Sequence, residues 1–347
     1  MISKRVFGNI INLKTFFLFC LIFLLGIDYS FAQTSRELIL QGIDATLGDN
    51  FLQAESCFEQ IIKDYPQEPE GYFFLAAALQ AKMMDEENYS QEKTFYQNIQ
   101  KGIDLGKEKI KNNQKDARAY LFLGNSYGYL AVYEGKRGKL WSALKDGLRA
   151  KSNLKKAVDL DSTLYDAYLG LGSYYYWSSV VTKNFQWLPF FGDKRKEGIE
   201  FLKIAATKSV FSKEAAINAL IWVYINEGWY PLAIMHSRDM YEKYPQGKLF
   251  LWPFAFAQYK ACDWQGAYAS YSQLLEKIEK TQPKTYYNLI ECRTKMANAL
   301  FNLGKLEECK KECEKILSYP LDEKLREKQE KNLELAKNLK KMCERES

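Results

Sequence analysis

A single histidine, His236, occurs in the whole chain, between Met235 and Ser237. A hydrolytic triad or a zinc centre needs imidazole to converge with Cys, Asp or Glu from other segments. A lone histidine on a predicted helix reads instead as a packing or surface residue. Phosphate chemistry has no better support. No Gly-x-x-x-x-Gly-Lys-Ser/Thr loop is present, and the glycines of Gly170-Leu171-Gly172 lie inside a helical pattern with no strand before them, which excludes a dinucleotide turn. Thiols are the remaining reactive groups. Besides Cys20 there are Cys57, Cys262, Cys292, Cys309, Cys313 and Cys343. Cys309 and Cys313, four apart, share a helix face, but this is not the Cys-x-x-Cys spacing of redox dithiols. The expectation is a chain with no catalytic residue, no cofactor and no metal centre; a thiol-dependent redox enzyme is kept as the alternative.

The elements available to carry a function are therefore structural. The 347 residues suffice for two ordinary domains or one elongated one, and 47% hydrophobic with 15% aromatic residues argues against disorder. Only 8 prolines and 20 glycines suit long helices with short joints. Lys4, Arg5 and Lys14 precede an apolar run from Phe16 to Ile27, and Ser30-Phe31-Ala32 supplies small residues before Gln33. This is the anatomy of a cleavable secretory signal over residues 1–32, so the chain is expected to be exported to the periplasm or outer envelope. The run is short of the roughly 20 residues a spanning helix needs, so no stable span is expected after cleavage; a retained anchor is the alternative. Cys20 follows Phe19, which disfavours lipoprotein processing. Without Lys4, Arg5, Lys14 and Asp28 the net charge falls from +6 to +4. Lysine and glutamate read as interleaved, so no nucleic-acid partner is expected.

Beyond residue 32 apolar positions recur at three and four, the helical spacing. Tyr120-x-x-Leu123-Gly124-x-x-Tyr127 recurs 48 residues later as Tyr168-x-x-Leu171-Gly172-x-x-Tyr175. Both resemble helix A of the tetratricopeptide repeat. Ala54, Phe58, Ile61 and Pro66 follow the spacing of that repeat's second helix, as do Ala150, Leu154, Ala157 and Gly198, Leu202, Ala205. Ala233 and Pro245 keep the distance with Ser237 between them. The interval of 48 exceeds the family's 34, which predicts an insertion that lengthens the central helices. The resemblance implies an all-α, right-handed superhelical solenoid of about seven helical hairpins over residues 33–320, closed by a capping helix in 321–347. Helix A segments are expected near 35–48, 69–84, 116–134, 164–181, 212–227, 247–261 and 283–302. Tyr120, Leu123, Gly124, Tyr127, Tyr168, Leu171, Gly172 and Tyr175 would be packing joints, each hairpin burying its apolar face on the next. Residues 186–202, with Leu188-Pro189 and Gly192-Asp193-Lys194-Arg195, resemble a feature of exported tetratricopeptide proteins and of the tetratricopeptide repeat protein 39 group.

Aligned to the repeat, Cys309, Cys313 and Ile316 occupy a buried row and read as small core residues. The sharper alternative is a Cys292–Cys313 disulfide, since folding back at Asn302-Leu303-Gly304 sets those two level. In such arrays the A helices line a concave groove, which the resemblance places at Asn125, Tyr129, Ser173, Tyr176, Trp177, Asn218 and Trp222. Leu121 and Leu169 stand where lysine or arginine would clamp a terminal carboxylate, so that mode is not expected. The apolar stretch 174–191 is expected to pack on the array. The functional expectation is a non-catalytic interaction scaffold of the cell envelope, holding a peptide or protein segment in its groove. The alternative is an accessory protein that passes a small or lipidic ligand to a transport system.

Overall fold

The computed structural model describes residues 35–182, 192–281 and 285–346. The expected signal in 1–32 and residues 183–191 of the aromatic stretch lie outside the described residues. Among those described there are sixteen helices and no strand. In chain order they are α1 (35–47), α2 (Phe51–Asp64), α3 (Pro69–Glu86), α4 (Glu92–Asn112), α5 (Ala117–Lys136), α6 (Leu140–Leu160), α7 (Ala167–Val181), α8 (Arg195–Lys208), α9 (Lys213–Asn226), α10 (Tyr230–Lys243), α11 (Leu251–Lys260), α12 (Trp264–Lys280), α13 (Tyr287–Asn302), α14 (Leu306–Ser318), α15 (Glu323–Lys328) and α16 (Glu330–Glu346).

Consecutive helices pair into seven hairpins, α1–α2 through α13–α14, stacked as a right-handed solenoid. The extra residues of the centre lie in helix, α5 and α6 having 20 and 21 residues against 14 in α2. The C-terminal segment is interrupted at Gln329, and α16 packs on α13 and α14. Pro253 falls in the first turn of α11, where its missing N–H costs no helical bond. Side-chain caps begin several helices: Asn50 accepts from the Gln53 N–H, Asp116 from Ala119 and Asp263 from Gly266. Six hairpin turns hold a residue in the left-handed region, glycine at 138, 228 and 304 but Asp49, Glu87 and Cys262 at the others. Where the two helices of a hairpin approach most closely, glycine is required. A Cβ on Gly124 would meet Leu154 Cγ at 2.7 Å, and one on Gly172 would meet the Gly198 carbonyl oxygen at 2.8 Å.

The solenoid also closes on itself. Phe74 of α3 stacks edge-on against Phe211, just before α9, with ring centroids 5.7 Å apart. The Tyr244 hydroxyl donates to Asp44 of α1 at 2.9 Å, and a Cβ on Gly247 would overlap the Leu47 carbonyl. Lys248, 5% exposed, pairs with Asp49 in the first hairpin turn and with Asp85 of α3 at 3.1 Å. Asn288 donates to the Asp85 carbonyl at 2.6 Å, and Lys136 bonds Glu87 at 2.7 Å while lying over the Tyr287 ring. The first two hairpins thus bind the loop between α10 and α11 and the start of α13. An open trough along the whole array is therefore not what the repeats build.

Candidate functional site

Closure leaves a cleft of about 860 Å³ at the end of the solenoid where α1 and α3 begin. Its apolar wall is Ile39 and Leu40 of α1, Ile61 of α2 and Phe211. Its polar residues are Ser35, Arg36 and Glu37 of α1, Tyr65, Glu68, Glu70 of α3 and Arg118 of α5. Glu70 follows Pro69 in the first turn of α3, where the exposed N–H groups favour a carboxylate. Stacking of α5 beside α3 then brings Arg118 Nε to within 2.6 Å of Glu70 Oε1. Glu70 is only 5% exposed, and its other oxygen, Oε2, is buried without a hydrogen-bond partner among the described residues. Burial pushes its carboxyl above the ordinary value, outweighing the Arg118 charge that pulls it down. Glu68 beside it is held by Lys109 at 2.7 Å. The cleft thus sets a charge-paired carboxylate beside an apolar wall.

None of the residues expected to line a groove borders this cleft. Tyr176 is a correction: it is fully buried, its hydroxyl donating to Glu227 at 2.7 Å and accepting from the Asn226 amide at 2.7 Å. Its ring packs between α7 and α9, so it forms part of the wall's interior. Trp177 next to it is exposed and meets the Tyr176 ring edge-on at 4.9 Å. Trp222 is also exposed, 6.0 Å from Phe256. Tyr129 is half-buried, edge-on to Phe73 at 5.1 Å, with its carbonyl accepting from Gln80. Asn125, Ser173 and Asn218 are half-buried, and Asn218 Oδ1 has no partner among the described residues. Of the repeated motif, Leu123, Gly124, Tyr127, Leu171, Gly172 and Tyr175 are buried; Tyr120 and Tyr168 are half-buried.

The Cys292–Cys313 disulfide is not formed, and no described cysteine is in one. Cys313 instead lies with Cys309 and, from α16, Cys343, in a core that the capping helix completes. Cys292 packs in the neighbouring core with Leu274 and Met296. Burial pushes the Cys292 thiol far up, and Cys309 is raised by its hydrogen bond to Cys313 and by burial. His236 is half-buried, its ring 5.7 Å from that of Tyr224. Among the described residues no cluster of His, Cys, Asp or Glu is placed to hold a metal ion.

Glu70 and Arg118 were not singled out from the sequence. An acidic residue in a first turn and an arginine in another read as solvated charges. The available signal was Pro69 at the start of α3, which fixes Glu70 at the hairpin joint.

No family model matches the sequence, and no curated protein matches it. Solved structures do. A tetratricopeptide protein, YrrB, described as having an unusual peptide-binding site, is 17% identical, covering 65% of this chain and 97% of its own with a TM-score of 0.44. The Cut9–Hcn1 hetero-tetramer of APC/C matches 84% of this chain and 52% of its own at 13% identity and a TM-score of 0.51. A tetratricopeptide repeat protein from Parabacteroides merdae ATCC 43184 is 14% identical over 88% of this chain and 100% of its own, with a TM-score of 0.37. At such identities the likeness concerns fold alone, and of these three the Cut9–Hcn1 match carries it. The fold is of the tetratricopeptide type.

Proposed function

We propose that the chain is a non-catalytic binding scaffold that takes a peptide or protein segment into the cleft between α1, α3 and α5. The observation that carries this reading is a cleft that sets the Glu70–Arg118 pair, with Arg118 exposed, beside a wall of Ile39, Leu40, Ile61 and Phe211. A polypeptide supplies both requirements at once: backbone and charged groups for the exposed Arg118 and its polar neighbours, and apolar side chains for the wall. Arg118, whose guanidinium already engages Glu70, fixes the carboxylate so that little ordering is needed on binding. Residues 1–32 have the composition of an export signal, which supports a site of action in the cell envelope.

A second reading rests on the size and apolar wall of the same cleft, which suit a small or lipidic ligand handed to a transport system. One experiment separates the two. A photo-crosslinking residue at Leu40 in the native envelope captures a polypeptide under the first reading, and Glu70→Ala lowers the yield. A captured lipid or metabolite supports the second. If Leu40 captures nothing while a crosslinker at Trp177 does, the cleft is not the binding site.

A further inference from the structure

The outer face of α6 departs from what a packed helix shows. Leu140, Trp141, Leu144 and Leu148 are 71%, 86%, 53% and 49% exposed, and Val132 in the last turns of α5 is exposed too. At 100° per residue these four α6 side chains fall within an arc of about 100°. The side that carries Asp146, Ala150, Leu154 and Ala157 is buried against the stack. The arc is therefore no part of the solenoid's own packing among the described residues.

Charge around the turn and along most of α6 is predominantly basic. Residues 136–156 hold eight basic residues, Lys136, Arg137, Lys139, Lys145, Arg149, Lys151, Lys155 and Lys156, against one acidic, Asp146. That net +7 exceeds the +6 of the whole chain, so the interleaving expected from the sequence fails here. Asp146 is buried and engaged by Arg149 at 2.9 Å. Lys145, Lys151 and Lys156 form no ion pair with a carboxylate among the described residues. On the helix Lys145 and Lys156 lie along one edge of the apolar arc, while Lys151, over the Tyr174 ring, and Lys155, paired with Asp159, continue it towards the C-terminus.

We propose that this face of the α5–α6 hairpin docks on the surface of a bilayer carrying anionic lipid. Exposed tryptophan and leucine with lysines around them match the interface, where indole and aliphatic groups enter the headgroup layer and ammonium groups meet lipid phosphates. Lys136, Arg137, Arg149 and Lys155 are paired with Glu87, Glu92, Asp146 and Asp159, so the charge that complements an extended anionic surface comes from Lys145, Lys151 and Lys156. The helix would lie on the membrane; among the described residues no helix is long and apolar enough to cross one. This inference is independent of the ligand in the cleft.

The test uses residues 33–347, which keep every described contact and remove the N-terminal apolar run. Sedimentation with phosphatidylcholine vesicles containing phosphatidylglycerol is compared with pure phosphatidylcholine. The expected result is binding about tenfold tighter to the anionic vesicles, weakened by salt and lost in Trp141→Ser/Leu144→Ser. Lys145→Glu/Lys151→Glu, which alters no buried residue, should abolish the lipid preference as well. Equal binding to both vesicles, or unchanged binding by both variants, overturns the proposal. So does hydroxyl-radical footprinting that finds Trp141 shielded without lipid. Self-association removed by Trp141→Ser, with no vesicle binding, would assign the face to a protein contact and likewise overturn it.

Discussion

Asp85 lies where the second hairpin meets the loop before α11, sharing Lys248 with Asp49. Burial is the main reason its carboxyl is pushed from 3.8 up to about 7; Lys248 pulls it down and Asp49 pushes it up again. Between these two values the native chain holds a proton that the unfolded chain has released. The stabilisation from that proton is complete below pH 3.8 and is lost as the pH rises through about 7. The interval is worth about 1.4 kcal/mol per pH unit, about 4 kcal/mol in all. Asp85→Asn keeps the shape and the Lys248–Asp49 pair but cannot titrate. Its stability relative to wild type should therefore climb by about 1.4 kcal/mol per unit from pH 4 to 7 and then level off. Urea unfolding followed by circular dichroism at a series of pH values reads this difference, in which Glu70 and the carboxyls remote from the closure cancel. A difference that is flat, or that falls with pH as for a carboxylate whose folded pKa is depressed, would refute the raised Asp85 carboxyl at the closure.

Three further substitutions test the joints and the core. Cys262→Gly should raise stability by about 1 kcal/mol, because φ of +60° in the α11–α12 turn is strained for a residue with a Cβ; chemical unfolding measures it. Gly172→Ala should cost about 1–3 kcal/mol, since backbone rather than a pliable side chain blocks the new methyl, and would show as a lowered Tm. Tyr176→Phe should cost about 1–3 kcal/mol by leaving Glu227 and Asn226 without their shared hydroxyl. Under native conditions a thiol reagent should modify Cys262 first and Cys57 more slowly, with Cys292, Cys309, Cys313 and Cys343 reacting only on denaturation, consistent with their burial.

The hairpin count was legible because a helix that packs on both neighbours must repeat its large and small residues in register. Tyr-x-x-Leu-Gly-x-x-Tyr does so twice, and the expected starts at 35, 69 and 116 lie within a residue of α1, α3 and α5. The closure was not legible. Asp49, Asp85 and Lys248 each occupy a hydrophilic joint, and Lys248 is 199 residues from Asp49. Curvature that accumulates over several stacked units decides whether such charges meet, and no local pattern records it. Residues 247–250 were expected to open a helix, but α11 begins at Leu251, leaving those residues to grip the first hairpin. Tyr176 was misplaced for a related reason. Its position in the motif faces the groove in a regular repeat, but Glu227 at the end of α9 draws its hydroxyl inward.

An open stack gains or loses a unit at its end with little consequence for the rest. Here the grip of Lys248 on Asp49 and Asp85 sets a circumference. Deleting or duplicating one hairpin between them would carry those charges past one another and strand a cation indoors. The number of repeats in this protein is thus a dimension of its shape, as the number of staves is in a cask.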